Sequence, residues 1–276
     1  MKFNLQAVLE MKAIRLPAAT ALLVWTACAG GCSVGSGRGD TGTVAFVRLE
    51  VADTSIYALS TSEQCEVVSS AVIECPDGQL ADLCRLYSSA VLDLPADSVI
   101  SQWTARRFLK NVTAAYCDDA DLVADGSTAR ETSMTVRIEA NVTATRNSER
   151  MVTFCKRLSM WKDGEQVSSA RYYYNLSLAG MSKIELPDLI SESSLADVGE
   201  MLKMSLIEQA GVRNEAALID LGYFNLDNLS PNNNFRITDD SVTWVYAPLD
   251  IACFSVGEVE ISLSLDNLRP YMQEAW

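Results

Sequence analysis

The sequence predicts an α+β fold, with mostly antiparallel sheets and packed helices divided between two small domains. Several segments alternate apolar and polar residues, which is the period of a half-buried strand. Two other segments repeat apolar residues at helical spacing, and a tight-turn sequence joins two consecutive strands, which requires antiparallel pairing. The chain has 276 residues, of which 49% are hydrophobic, so it can bury the core of one large domain or of two small ones.

The N-terminal segment has the pattern of an export signal. Lys12 and Arg15 precede the apolar run 16–27 (LPAATALLVWTA), and the small-residue stretch CAGGCS follows it. A run of this length is too short to cross a hydrocarbon core about 30 Å thick as a helix. We therefore expect a cleaved signal peptide, residues 1–31, and no transmembrane anchor.

Two cysteines near the end of this run predict a lipoprotein, in which cleavage exposes a cysteine for lipidation. Cys28 lies directly at the end of the run, whereas Cys32 follows the small residues Ala-Gly-Gly. Cleavage before Cys32 leaves six further cysteines, an even number, yet both sites stay open, as does secretion without a lipid. The predicted membrane contact is thus an N-terminal lipid anchor. The predicted location is the cell envelope of a Gram-negative-type bacterium, at the outer membrane or its periplasmic face.

The first of the two domains is predicted at 45–180. A flexible Gly/Ser-rich tether at 33–44 (SVGSGRGDTGTV) precedes it. Strand-like alternation predicts strands at 44–51 and around 66–74, and the first helix is expected at 96–116.

The helix at 96–116 is predicted from a stripe of residues spaced four apart. Pro95 suits its first turn, and Asp97 places a negative charge where the helix dipole favours it. The stripe comprises Ile100, Thr104, Phe108, Val112 and Tyr116, and it is widened by Val99, Trp103 and Leu109.

Three consecutive strands follow, at 133–145, 150–161 and 166–178. The Asp163-Gly164 pair between the last two predicts a tight hairpin turn. Tyr172–Tyr174 lie on the third strand, and alternation directs at least one of these rings into a core.

The second domain is predicted at 183–272. It begins with a helix at about 194–210, for which Ser194 and Asp197 offer an approximate capping pair and Gly211 a terminus. A short helix, NEAALIDL, is expected to end in the same way at a glycine.

The remainder of the second domain is predicted to be a small antiparallel unit. Strands are expected at 234–238, 242–247 and 257–265. The turn Thr238–Ser241 joins the first two of these strands, and the aspartates within it are explained by turn chemistry.

Composition excludes several kinds of function. The chain contains no histidine, so Ser-His-Asp and Cys-His catalysis are absent, as is the commonest zinc ligand. The formal charge of −14 opposes binding to nucleic acid, which requires clustered Lys and Arg. The acidic stretch 118–126 (DDADLVADG) departs from the order of a calcium-binding loop and is interpreted as a solvated loop. We therefore expect no cofactor and no metal.

Export would place the remaining cysteines in an oxidising environment, where disulfides form. Cys65 and Cys75 flank a strand-like run and could bridge locally. Buried free thiols are an equally good interpretation, because pairing does not follow from sequence alone. The remaining candidates are Cys84, Cys117, Cys155 and Cys253.

Asp250 is the carboxylate of greatest interest. It precedes the apolar pair Ile251-Ala252, a position from which a carboxylate often accepts backbone N–H bonds and holds an irregular turn. Contact with a ligand is the alternative role.

The segment 233–260 (NNFRITDDSVTWVYAPLDIACFSVGEVE) resembles a known domain. The domain is shared by the extracellular region of the anti-sigma-V factor (RsiV-like) and by noncatalytic parts of some peptidoglycan deacetylases. The chain also resembles Bacteroidetes-type lipoproteins with a two-domain layout. The matching positions are Asn234, Phe235, Thr238, Asp239, Trp244, Tyr246, Pro248, Ile251, Ala252 and Gly257.

The departures from that family lie together. Leu249-Asp250 replaces a Tyr-Glu pair, and Cys253-Phe254 replaces Pro-Tyr. In the anti-sigma member the resemblance implies that the exported domain binds lysozyme. An acidic chain suits a basic partner of that kind electrostatically.

These observations together predict a non-enzymatic exported lipoprotein that acts as a binding module in the cell envelope. Its ligand would be a cell-wall glycan, a lysozyme-like protein or another envelope protein. The residues expected to contact it are Trp244, Tyr246, Asp250 and Phe254. The alternatives are a carboxylate-dependent envelope hydrolase that uses Asp250 and a purely structural envelope protein.

Overall fold

The computed structural model of the protein describes residues 44–58, 64–119, 123–124 and 132–273. Within them the chain forms a large mixed sheet and a smaller antiparallel sheet, with helices packed against both. The predicted α+β class is therefore confirmed. Cys28, Cys32 and nearly all of the predicted tether lie outside the described residues.

The large sheet has seven strands in the order β3-β1-β2-β4-β5-β6-β7. All neighbours in it are antiparallel except β2 and β4, which are parallel. Parallel neighbours need a long crossover, and here the crossover contains two helices. The strands are β1 (Phe46–Ala58), β2 (Gln64–Pro76), β3 (Val123–Ala124), β4 (Thr132–Asn147), β5 (Met151–Lys162), β6 (Glu165–Ser177) and β7 (Ser182–Ile184).

The small sheet is antiparallel and has the order β10-β9-β8. Its strands are β8 (Phe235–Ile237), β9 (Ser241–Tyr246) and β10 (Val259–Ser264). The three predicted strands and the turn between the first two are thus confirmed, with bounds that differ by one or two residues at each end.

Six α-helices occur among the described residues. None of them is long and apolar enough to cross a membrane. They are α1 (Ala81–Ala90), α2 (Gln102–Asp119), α3 (Leu186–Leu189), α4 (Leu195–Gln209), α5 (Glu215–Asp220) and α6 (Leu265–Leu268).

Helix α2 begins later than the sequence predicts. Ser101 precedes the first helical residue, and its hydroxyl accepts a hydrogen bond of 3.3 Å from the Thr104 N–H, which is the role of an N-cap residue. Pro95 and Asp97 therefore lie before the helix and not in its first turn. The predicted buried stripe is confirmed at Thr104 and Phe108, which are buried, and wrong at Trp103, which is 63% exposed.

Helix α1 was not predicted. It is only ten residues long, and three of them are buried: Leu83, Tyr87 and Ser88. The Tyr87 hydroxyl donates to the Glu74 carbonyl of β2 over 2.8 Å. This hydrogen bond from a buried tyrosine to the sheet holds the helix in place. A helix this short carries too few turns for its periodicity to be read from sequence.

The Asp163-Gly164 hairpin turn is confirmed. Both residues have positive φ, 51° and 90°, which is the backbone that a two-residue type I′ turn requires and that glycine tolerates best. The turn joins β5 to β6, and their antiparallel pairing places Leu158 opposite Ala170.

Helix α4 occurs as predicted, but its cap differs. The Ser194 side chain caps no backbone N–H; its hydroxyl lies 2.7 Å from that of Ser191 instead. A short 3₁₀ turn, Glu192–Ser194, leads into the helix and positions its first residues. The buried face carries Val198, Leu202 and Leu206.

Two large hydrophobic clusters form the core. One lies between α1, α2 and the large sheet, and the other lies within the C-terminal part, around α4 and the small sheet. A small third group, Cys155, Tyr173 and Val245, lies between the two sheets, and β6 contacts β8 directly. The division into domains at residues 180 to 183 stays a prediction.

All six described cysteines are free thiols. The predicted local bridge between Cys65 and Cys75 does not form, because both residues lie on β2. Ten residues of extended strand span about 33 Å, whereas a disulfide needs Cα atoms within about 7 Å.

The acidic stretch 118–126 is only partly described. Its first two aspartates end α2, and Val123–Ala124 pairs with β1 as strand β3. Its remaining residues lie outside the described ranges.

Candidate functional site

A large cavity lies on the helix-bearing face of the large sheet. It is an open groove of about 1050 Å³ between α2 and the loop formed by residues 247–258. We call it the groove. Its position follows from the path of α2, which packs mainly over β1, β2 and β4 and leaves the face of β5 and β6 as an open floor.

Alternate residues of β5 and β6 form this floor. Leu158 and Met160 of β5 lie opposite Ala170 and Ser168 of β6, and all four line the groove. Alternate residues of a strand point to the same face of a sheet, so these side chains form one continuous surface. Helix α2 forms one wall of the groove, to which Phe108 contributes.

The wall that faces α2 is the loop 247–258, which connects β9 and β10. Asp250 holds this loop: its carboxylate accepts a hydrogen bond of 2.9 Å from the Ala247 N–H. Leu249 adopts a left-handed backbone with φ 73°, and its N–H donates to the Ala252 carbonyl over 3.1 Å. The prediction that Asp250 pins an irregular turn is confirmed.

Exposed apolar side chains surround the mouth of the groove. Val167, Leu249 and Phe254 are 36%, 51% and 63% exposed, and all three line the cavity. Single exposed apolar residues are common on protein surfaces, whereas several beside one apolar cavity mark a binding surface.

A buried lysine lies at one end of the floor. The Lys156 side chain is 7% exposed, and its ammonium group donates to the Val91 carbonyl over 2.9 Å and to the Asp93 carboxylate over 3.0 Å. The same ammonium group lies 4.8 Å from the centre of the Tyr174 ring. The positive charge is thus neutralised within the protein, and this end of the groove does not need an anionic ligand.

Tyr172 supplies a polar group near Lys156. Its register partner on β5 is Lys156, and both residues line the groove. Burial raises the pKa of the Tyr172 phenol above its usual value, so the hydroxyl stays protonated at neutral pH. It can then donate a hydrogen bond to a ligand.

The edge of β6 is joined to the small sheet by a side chain. The Asn234 amide accepts a hydrogen bond of 2.9 Å from the Tyr173 N–H and donates one of 2.7 Å to the Arg171 carbonyl. It therefore bonds to β6 as a neighbouring strand would. The Arg171 guanidinium also pairs with Glu258 and Glu260, which fixes the end of the loop at the groove.

The four residues predicted to contact a ligand lie in different environments. Phe254 lines the groove, and Asp250 supports its wall. Trp244 and Tyr246 are buried in the C-terminal core, and the Tyr246 hydroxyl donates to the Ser230 carbonyl over 2.8 Å. These two aromatic residues are therefore placed in the scaffold and not at the groove.

The groove residues of β5 and β6 were not identified from the sequence. Leu158, Met160 and Ala170 have the alternation of any half-buried strand, and nothing local distinguishes a covered strand from an open one. A usable signal was the composition of β6, where Gln166 and Ser168 occupy positions that a covered strand would fill with apolar residues.

Metal binding has no support within the described ranges. No group of three or more His, Cys, Asp or Glu side chains there is placed to hold an ion.

Comparison with known proteins identifies the C-terminal part. Residues 187–266 match the sequence profile of a family described as a protein of unknown function, DUF3298. This range includes α4, α5 and all three strands of the small sheet, which is the region that resembles the RsiV-like domain. No curated protein sequence matches the chain.

Two solved structures are similar to the chain over most of its length. A DUF3298-family protein from Bacteroides fragilis has 16% identity and a TM-score of 0.62, covering 85% of this chain and 96% of its own. A DUF3298-family protein from Pseudomonas aeruginosa has 13% identity and a TM-score of 0.50, covering 84% and 95%. At these identities the likeness shows the fold alone. Residues 187–266 are thus similar to the DUF3298 profile, and the chain shares its fold with two solved proteins of that family.

Proposed function

We propose that the protein is a non-enzymatic binding module of the cell envelope, anchored by a lipid on Cys28 or Cys32, and that its ligand occupies the groove. One observation carries this proposal: an open apolar cavity of about 1050 Å³ whose mouth is surrounded by exposed apolar side chains. Apolar cavities of this size with a few polar groups are the usual form of binding sites.

The position of Asp250 favours binding over hydrolysis. One oxygen of its carboxylate accepts the Ala247 N–H and holds the loop, and the residue does not line the groove itself. A general acid or base must reach the proton that it transfers. Asp250 therefore acts through the shape of the wall.

The lining of the groove favours a protein as the ligand. The hydroxyl groups of a glycan would lose hydrogen bonds to water against Leu158, Met160 and Phe254, which is costly. Apolar side chains of a protein would be stabilised there by burial. The chain has a formal charge of −14, which favours a basic partner. We therefore place a basic envelope protein of the lysozyme-like kind first and a cell-wall glycan second.

Equilibrium binding of the mature chain to lysozyme and to purified peptidoglycan tests this proposal. Phe254→Ala removes an exposed ring at the groove, and Trp103→Ala removes a ring of equal exposure, 63%, that does not line the groove. We expect Phe254→Ala to weaken lysozyme binding about tenfold or more, as loss of an aromatic anchor does, and Trp103→Ala to leave it unchanged. Equal loss in both variants, or binding to peptidoglycan alone, would contradict the proposal.

The hydrolase alternative is tested separately with Asp250→Asn. The variant keeps an oxygen that can accept the Ala247 N–H, so the loop should keep its shape. We expect no change in lysozyme binding and no turnover of peptidoglycan fragments by either protein. Turnover by the wild type that disappears in this variant would establish the enzyme instead.

A further inference from the structure

An exposed apolar surface continues from the mouth of the groove onto helix α5. Ile219 and Leu221, at the end of this helix, are 57% and 51% exposed, and Phe254 on the loop is 63% exposed. The Cys253 N–H donates to the Gly222 carbonyl over 2.8 Å. Because Leu221 and Phe254 are the chain neighbours of these two bonded residues, they lie close to each other on the surface.

Backbone hydrogen bonds hold the end of α5 against the loop. The Phe224 N–H donates to the Ile251 carbonyl over 2.8 Å, and Tyr223 forms an antiparallel bridge with Ala252. The chain after α5 and the loop are thus paired as two short strands would be. A partner therefore meets a surface that is already ordered, which reduces the entropy lost on binding.

Leu249 adds an apolar side chain on the same loop. Its backbone is left-handed, with φ 73°, a conformation that leucine rarely adopts, and its side chain is 51% exposed. Neither feature stabilises the fold, because the backbone is strained and the side chain is only half buried. Strained residues cluster at binding sites, and Leu249 does line the groove.

The part of the chain that carries this surface is strongly acidic. Residues 214–268 contain nine carboxylates and a single basic side chain, Arg236, which lies 3.4 Å from Glu260. Arg146 and Arg171 of the large sheet pair with some of these carboxylates. Because so few basic groups face so many acidic ones, an excess of negative charge remains.

The negative charge reaches the apolar surface itself. Asp220 lies between Ile219 and Leu221 in sequence and is exposed. An apolar surface beside carboxylates matches a partner that presents apolar side chains among Lys and Arg. A second copy of this chain fits less well, because each copy has a formal charge of −14 and two such surfaces would repel each other.

We propose, on the basis of the function proposed above, that the basic partner contacts the end of α5 as well as the groove. We call Ile219, Asp220 and Leu221 the α5 surface; it extends the contact made by Leu249 and Phe254. None of its three residues lines the groove, so a ligand small enough to lie within the groove does not reach it. The α5 surface therefore selects a folded basic protein over a glycan fragment or a short peptide.

Equilibrium binding of the mature chain to lysozyme, used as the basic protein, tests the α5 surface with Leu221→Ser. We expect the Kd to rise about fivefold or more, because the burial of this leucine side chain in the complex is lost. Ile219→Ser, a second variant on the same surface, should also raise the Kd. The matched control is Leu80→Ser: Leu80 is 42% exposed, precedes α1 and does not line the groove, so the Kd should not change.

A charge variant tests the acidic part of the surface. Asp220→Asn should raise the Kd about twofold at low ionic strength, and the effect should disappear at high salt because exposed charges are screened. The loss in Leu221→Ser should persist at high salt. Asp53→Asn, an exposed carboxylate on β1, is the control and should have no effect. Equal effects of the two charge variants would contradict a contact at Asp220.

The variant at Phe254 separates the α5 surface from the groove. If Phe254→Ala weakens binding and Leu221→Ser does not, the α5 surface is wrong and the groove stands. If the wild-type chain does not bind lysozyme, both are overturned. Equal losses in Leu221→Ser and Leu80→Ser would overturn the α5 surface, as would a dimer of the mature chain, seen by sedimentation velocity, that Leu221→Ser dissociates.

Discussion

The amide of Asn234 is predicted to stabilise the union of the two sheets through two hydrogen bonds to the edge of β6. Asn234→Ala removes both the acceptor for the Tyr173 N–H, at 2.9 Å, and the donor to the Arg171 carbonyl, at 2.7 Å. Tyr173 is buried, and β7 pairs only with residues 175–177 of β6. Strand β7 therefore does not reach these two backbone groups, and the Asn234 amide bonds to them instead.

The expected cost follows from the two groups left unpaired. A buried polar group without a partner costs about 1–3 kcal/mol. Water can reach the half-buried Arg171 carbonyl more easily than the Tyr173 N–H, so we expect a total near the lower end, about 2–4 kcal/mol. A loss of this size is a large part of a typical folding free energy of about 5–15 kcal/mol.

Equilibrium unfolding in urea, followed by fluorescence and circular dichroism, measures this loss. The exposed Asn267→Ala is the matched control, and its effect should stay within about 0.5 kcal/mol. Asn234→Asp keeps an acceptor for the Tyr173 N–H but turns an oxygen toward the Arg171 carbonyl, so it should destabilise at least as much as alanine. A loss below about 1 kcal/mol for Asn234→Ala would refute the claim that this amide completes the edge of β6.

Three further predictions concern the C-terminal part. Gly222 has φ 94°, and the Cβ added by Gly222→Ala would lie 2.5 Å from the Cys253 sulfur, so we expect urea unfolding to show a loss of about 2–4 kcal/mol in unfolding free energy. The control, Gly211→Ala, has φ 65° and open space around it and should lose only about 1 kcal/mol. Equal losses in the two variants would disprove the clash. Tyr246→Phe removes a hydrogen bond of 2.8 Å to a backbone carbonyl, and it should lower the unfolding free energy by about 1–2 kcal/mol; no loss in urea would show that the bond is unimportant. The Ser255 hydroxyl lowers the pKa of the Cys253 thiol, so native-state alkylation followed over pH should begin at lower pH for this cysteine than for the buried thiols, and Ser255→Ala should shift its profile to higher pH; an unchanged profile would contradict that role.

The fold was predictable where local chemistry decides it. The Asp163-Gly164 turn needs a particular backbone that its residues favour, and it fixed the β5–β6 hairpin. The turn between β8 and β9 was predicted from its turn-forming residues in the same way. Helix α1 and the start of α2 were missed, because a short helix has little periodicity and the cap at Ser101 competes with the equally plausible signals of Pro95 and Asp97.

The site was predictable only in part, because exposure is a tertiary property. Trp244 and Tyr246 were expected at a ligand, but β9 is the central strand of its sheet and both rings are buried. Phe254 was expected there because it departs from the related family, and it does line the groove. Leu158 and Met160 gave no signal, because their place in the floor of the groove depends on where α2 crosses the sheet.

Methyl NMR of the methionines tests the central claim, that the groove holds the ligand, most directly. Met160 lies in the floor of the groove, whereas Met204 is exposed on α4 and does not line the groove. With lysozyme added to the mature, methyl-labelled chain, we predict that the Met160 signal shifts or broadens and that the Met204 signal does not change. A shift of Met204 with Met160 unchanged, or no change in either signal, would contradict the account.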